Sequence, residues 1–167
     1  MLGVLGFFIA VSVLHISDAN LKEGPSFKNF IKNAIGLNDE AIQHLPEDVF
    51  PMADNLREAN ADLKQVLEKT DEQEKFDLLK SALEKETRGL SMIGVFCENP
   101  EADCKKARVK AGESTVTMTT AVKEICDAKK DVIDDIFAKT ITESGSDIEF
   151  EMWAAGMQVL IEIEKGC

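Results

Sequence analysis

The sequence predicts an all-α fold, a single disulfide-stapled bundle of five to seven amphipathic helices. Three observations carry this. Apolar residues recur at helical spacings of three, four and seven through most of the chain. Helix start and stop signals fall between those runs. Four cysteines crowd the second half of a chain whose first residues look like an export signal.

In chain order, residues 1–19 have the pattern of a secretory signal peptide: an apolar run from Leu2 to Leu14, then the small residues Ser17 and Ala19 at the positions a signal peptidase reads. No Lys or Arg precedes the run, so only the amino terminus supplies its positive end. The run stops at His15 and Asp18, too short for a membrane anchor. Cleavage after Ala19 leaves one domain, residues 20–167, long enough to bury a sizeable core.

Ser26 follows Pro25 as the expected cap of a first helix, with Phe27, Phe30, Ile31, Ala34 and Ile35 on one face and Gly36 as its stop. Asn38 then caps a short second helix carrying Ala41, Ile42 and Leu45, and Pro46 to Phe50 is one turn. From Met52 to Lys69 the inward residues are Met52, Ala53, Leu56, Ala59, Leu63, Val66 and Leu67, while Arg57, Glu58, Asp62, Lys64 and Glu68 stay wet. Thr70 and Gln73 form a capping-box pattern that opens a long helix from Asp71 to Ile93, with Phe76, Leu79, Leu83, Leu90 and Ile93 inside.

Asn99-Pro100-Glu101 with Asp103 is the next helix start. Ser114 to Thr120 alternates like a strand and holds four threonines, which favour β structure. Nothing nearby offers a pairing strand, so the segment is read as helix, with a bend or break near Gly112. A stripe of Val122, Ile125, Cys126, Val132, Ile133, Ile136, Phe137 and Ile141 continues it to Thr142, interrupted only by Lys129. Ser146 and Glu149 open the last helix, and Gly166 suits a left-handed C-terminal cap. That helix is the most apolar: Ile148, Met152, Ala155, Gly156, Val159, Leu160 and Ile163 form its stripe, and Phe150, Trp153, Met157 and Ile161 widen it around most of the circumference. Glu149, Glu151, Glu162 and Glu164 keep it from spanning a membrane.

Cys97, Cys104, Cys126 and Cys167 read as two disulfides, since an exported chain meets an oxidising compartment. If the helices flanking 143–146 form an antiparallel hairpin, residues whose numbers sum to about 290 face each other, which brings Cys126 to Cys167. Cys104 and Cys126 on one helix would stand roughly 33 Å apart. The expected pairs are therefore Cys97–Cys104 and Cys126–Cys167. A zinc site is disfavoured, because no Cys-x-x-Cys pair occurs and the mature chain has one histidine, His44.

The chain carries 31 acids against 19 Lys and Arg, a net charge of −12; loss of Asp18 with the signal leaves 30 against 19, or −11. That sign repels phosphate backbones and anionic lipid headgroups, so neither nucleic acid nor stable membrane insertion is expected. His44 has no free cysteine to activate, and neighbouring acids such as Asp134 and Asp135 point to different helix faces, so an enzyme is not expected and no cofactor or metal is implied. The basic cluster Lys105, Lys106, Arg108 and Lys110 reads as a solvated helix face.

Large or flexible apolar side chains, Phe27, Phe30, Met52, Met92, Met118, Met152, Trp153 and Met157, adapt well to apolar guests. Ala154-Ala155-Gly156 removes side-chain volume in mid-helix. That notch either packs closely against a neighbour or leaves room for a ligand. The functional expectation is a secreted helical protein holding a small hydrophobic, lipid-like molecule, with Phe27, Phe30, Met52, Met118, Met152, Trp153, Gly156 and Met157 as ligand-binding candidates. The alternative is a secreted interaction module that meets an extracellular protein through an exposed helix face, without ligand or catalysis.

The export reading has a direct test. The denatured, non-reduced mass of the protein secreted from eukaryotic cells should begin at Asn20 and lack four hydrogens, one pair per disulfide. A retained leader or a free-thiol mass would refute it.

Overall fold

Helical periodicity becomes six α-helices in the computed structural model, which describes residues 21–46, 53–96, 102–142 and 148–167. They are α1 Phe27–Gln43, α2 Ala53–Glu68, α3 Glu72–Phe96, α4 Ala102–Ile125, α5 Lys130–Thr142 and α6 Ile148–Glu164, with no strand among the described residues. The all-α bundle is therefore the observed architecture. The signal segment, Met52, Cys97, the start at 99–101 and the turn at 143–146 lie outside the described residues.

Helices α1 to α4 form a four-helix ring. Each of α1 and α3 packs against both α2 and α4, so α1 and α3 face each other across the diagonal. Helix α6 lies outside on α3 and α4, and α5 packs on α6. The segment before α1 crosses the ring's end: Lys22 and Gly24 donate N–H bonds to the carbonyls of Ile125 and Glu124, and Glu23 pairs with the buried ammonium of Lys75. No described helix is long and apolar enough to cross a membrane.

Most boundaries fall where the residues put them, and the exceptions share a cause. Helix α1 runs through Gly36, whose outward Cβ position meets nothing within 4 Å. Asn38 caps no second helix; it is wholly buried and bonded to other helices. Tertiary packing of the Ala34, Asn38 and Ala41 face outweighs a local stop signal that costs only about 0.5–1 kcal/mol. Ser26 stands at the N-cap, but its hydroxyl makes no cap bond; Asn29 and Phe30 donate to its carbonyl instead. At α3 the cap is Asp71, whose Oδ1 accepts from the Glu74 N–H at 2.9 Å, while Gln73 donates to Asp77. Asp62 is not wet. It is buried, accepting from Ser81 Oγ at 2.7 Å and Lys85 Nζ at 2.6 Å.

The ambiguous threonine segment is helical and unbroken at Gly112. Thr115, Thr117, Thr119 and Thr120 return their hydroxyls to carbonyls three or four residues back, which satisfies them without a strand partner. The stripe expected to continue to Thr142 breaks instead at Cys126, where φ −123° and ψ 77° leave the helix, and a 3₁₀ turn at Asp127–Lys129 redirects the chain into α5. Val132 consequently faces solvent, as does Ile148 at the start of α6. Gly166 ends α6 with a φ of 94°, the left-handed cap expected of it.

The core has two apolar ends and a polar middle. One end gathers Ile31, Ala34, Leu63, Leu79, Leu83 and Met118; the other gathers Ala41, Leu56, Leu90, Ile93, Ala107 and Ala111. Between them all four ring helices contribute buried polar residues: Asn38 from α1, Asn60 from α2, Glu86 and Thr87 from α3, Ser114 and Thr115 from α4. Asn38 Nδ2 donates to Asn60 Oδ1 at 3.0 Å and to Glu86 Oε2 at 2.6 Å, spanning the diagonal.

Cys126 and Cys167 are disulfide-bonded with Cα atoms 5.7 Å apart, as the hairpin numbering requires. Cys104 is also disulfide-bonded, its expected partner Cys97 lying outside the described residues. The long bridge ties the end of α6 to the break between α4 and α5. Replacing both Cys126 and Cys167 by Ser should cost on the order of 4 kcal/mol of unfolding free energy in urea titrations, from restored freedom of the unfolded chain. A loss below about 1 kcal/mol would show that α6 docks without the tether.

Candidate functional site: the α3–α6 groove

Helix α6 carries more apolar surface than one packed face can use. Ala155, Gly156, Val159, Leu160 and Ile163 are buried against the bundle. Phe150, Trp153, Met157 and Ile161, spaced by three, four and four residues, form a second stripe along the opposite edge. Phe150 is 59 % exposed, Met157 38 % and Ile161 53 %. Phe150 and Trp153 pack as a tilted aromatic pair, ring centroids 5.3 Å apart.

Beside this stripe runs a groove of about 510 Å³ between α6 and α3. Thr87, Ser91 and Met92 line it from α3, and Trp153, Met157, Leu160 and Ile161 from α6. The helices run antiparallel: the early α6 residues Glu149 and Phe150 share a smaller hollow of about 270 Å³ with the late α3 residues Gly94 and Val95. Trp153 and Ser91 border both spaces, so the two are neighbours. Beyond the hollow, Val95 and Phe96 are 59 % and 61 % exposed. Charge sits at the margins. Arg88 Nη2 pairs with Glu84 Oε1 at 3.2 Å, and Lys80 and Glu164 mark the far end.

The sequence-predicted ligand residues divide into three groups. Trp153 and Met157 meet in the groove, with Met92 across from them. Phe27 and Met118 are fully buried in the main core and Phe30 packs against its edge, so these three stabilise the ring and line neither of the two spaces beside α6. Met152 lies on a different face of α6, its Sδ 2.6 Å from where a Cβ on Gly112 would stand, over a shallow hollow shared with Leu37 and Val116. Met52 is outside the described residues.

Gly156 is buried, and its notch is filled. A Cβ there would stand 2.6 Å from Thr115 Cγ2 and 2.9 Å from Thr87 Cγ2, so two threonine methyls occupy the space that the missing side chain leaves. The small residues admit close helix–helix contact; the accessible volume lies outside it. Little in the sequence marks the α3 wall, because Ser91, Gly94 and Val95 carry no periodic signal of their own; Met92 and the surplus stripe on α6 are its visible signs.

Elsewhere, His44 closes α1: its N–H donates to the Ala41 carbonyl and the Leu45 N–H to that of Ile42, and His44 Nδ1 lies 4.0 Å from Asp103. The basic cluster is largely spoken for: Lys106 pairs with Asp103, and Lys110 with Glu40 and Glu113. No group of three or more His, Cys, Asp or Glu stands ready for a metal ion among the described residues. No protein-family model matches this sequence, and no curated protein or solved structure matches it either.

The filled notch sets opposite expectations for two glycines. Gly156→Ala should destabilise the protein by about 1–3 kcal/mol, since threonine methyls on two helices must shift to admit a methyl. Gly36→Ala, pointing into open space, should stabilise it by about 0.4–1 kcal/mol. Urea unfolding of both variants reads the contrast, and a neutral Gly156→Ala would mean that the notch has slack.

Proposed function

We propose that this protein is a secreted carrier that holds an elongated hydrophobic molecule, of the long acyl-chain type, in the α3–α6 groove. The observation that carries the reading is the apolar wall of Trp153, Met157 and Ile161, the last two exposed, lining a space of about 510 Å³. Such a volume falls within the roughly 300–1,000 Å³ usual for small-molecule sites. From Trp153 to Glu164 the groove follows α6 for about 17 Å by helical rise, the length scale of a long acyl chain. Covering these apolar side chains with a ligand removes surface that water otherwise wets, at about 25 cal/mol per Å². Polar groups gather at the far end, where a ligand's head group would reach solvent beside Lys80 and Glu164. Disulfides and the leader-like N-terminus support an extracellular setting for this role.

A second reading rests on Val95, Phe96 and Phe150, whose exposure extends the apolar surface past the groove. A protein partner covering α6 would use all of it, whereas an acyl chain uses only the lined part.

Trp153 is the chain's only tryptophan and sits in the groove, so its emission reports occupancy. Titration with oleate should shift and saturate that emission, and native mass spectra should show the adduct. Ile161→Glu and Met157→Glu should each weaken oleate binding at least tenfold while leaving thermal unfolding nearly unchanged, because both residues are exposed. Unaltered emission with no adduct would end the carrier reading. Capture of a protein partner that Phe96→Glu abolishes would favour the interaction module.

A further inference from the structure

The polar layer in the middle of the ring is short of hydrogen-bond donors. Both Asn38 amide hydrogens are engaged, by Asn60 Oδ1 and Glu86 Oε2. Asn60 Nδ2 donates to the Ile35 carbonyl at 3.3 Å and to Asp39 Oδ1 at 2.9 Å. Ser114 gives its hydroxyl to the Ala34 carbonyl, Thr115 to Ala111 and Thr87 to Glu84. Two acceptors remain, Asn38 Oδ1 and Glu86 Oε1, each buried without a partner. They belong to the same two side chains that already share one bond, and no donor of the layer is left for them.

Nor does a counter-charge meet Glu86. From α1 the nearest acid of the network is Asp39, reached only through Asn60. From α2 comes neutral Asn60, with Asp62 turned to Ser81 and Lys85. Helix α4 offers Ser114 and Thr115, and its Lys110 is held by Glu40 and Glu113. On α3 itself Lys85 is engaged by Asp62, and Arg88 pairs with Glu84 at the surface. An ionised carboxylate in this place would be a buried charge with one neutral partner.

We propose that Glu86 is carried as the neutral carboxylic acid, its Oε1 hydroxyl donating to Asn38 Oδ1 so that acid and amide close a two-bond ring, and that its deprotonation loosens the α1–α3 diagonal. One proton resolves both orphaned acceptors and removes the charge. Burial pushes the Glu86 carboxyl up from its ordinary 4.5 to about 8, while the Asn38 bond pulls the other way. The sign follows from proton linkage. The folded state holds this proton more tightly than the unfolded chain, so its contribution is complete below pH 4.5, fades as the pH rises, and is gone above about pH 8. The device is independent of what the α3–α6 groove holds.

Urea unfolding of the full mature protein at pH 5 to 9 tests this, comparing wild type with Glu86→Gln. The glutamine amide supplies a permanent donor and carries no charge. The ratio of wild-type to variant unfolding constants should rise on the order of a thousandfold between pH 5 and 9. Parallel pH dependence in the two proteins overturns the proposal. Should the variant fail to fold, the wild type alone suffices: its infrared spectrum at pH 6.5 should contain a protonated-carboxyl band that disappears by pH 9.5 without global unfolding. Absence of that band would mean that Glu86 is ionised and that a buried water or cation completes the layer, which also overturns it.

Discussion

The hydrogen bond from Asn38 to Glu86 across the ring is the constraint on which the rest of the structure depends. Apolar packing alone would leave the four helices several acceptable registers, because Leu79, Leu83 and Leu90 of α3 can each find a hydrophobic neighbour one turn away. Glu86 cannot. Sliding α3 by one turn carries its carboxyl away from the Asn38 amide and toward one of the apolar ends, and a buried polar group left unsatisfied costs about 1–3 kcal/mol, more when charged. Asn60 adds the third helix, and Ser114 fixes α4 to the Ala34 carbonyl of α1. Buried polar residues of this kind are expensive for stability and are best understood as setting alignment. Two apolar ends separated by such a layer form a ring that fits together one way.

That fixed ring determines what α6 can do. Its buried face docks on α3 and α4 through Ala155, Gly156 and Val159, close enough that Thr87 and Thr115 methyls fill the glycine notch. Thr87 belongs to the polar layer and to this contact alike, so the register that satisfies Glu86 also places the methyl that receives Gly156. The Cys126–Cys167 bridge then anchors the far end. With one face committed and the C-terminal end held, the second apolar stripe is left along the α3 edge.

Helix periods were legible because they repeat. The stripes of α2 and α3 and the Cys126–Cys167 pairing follow from spacing and helical rise, while the helical reading of Ser114 to Thr120 rests on the lack of a strand to pair with. Single-residue signals were less dependable. Gly36 and Asn38 look like a stop and a cap, yet a residue one chain position from another can have its decisive partner on another helix: Asn38 meets Glu86, 48 positions away. Asp62 reads as a surface acid and Glu86 goes unmarked for the same reason, since nothing local distinguishes a buried acid from a wet one. At the site, Trp153 and Met157 were visible as surplus apolar surface, and the threonine methyls that close the Gly156 notch were not.

The closure of that notch decides where a guest can go. Interior volume near α6 would require side chains missing on facing helices at the same level, but Gly156 faces Thr87 and Thr115, and Gly112 faces the Met152 sulfur. Each small residue is matched by a larger one, so the interior offers contact where the sequence alone allowed space. Phe27 and Met118 are surrounded by core residues and have no route to solvent. The proposed guest would therefore displace water along the outer edge of α6, where Trp153, Met157 and Ile161 stand on the buried face behind them. Such binding would need no opening of the ring. It would use a wall whose position the Asn38–Glu86 layer has already set.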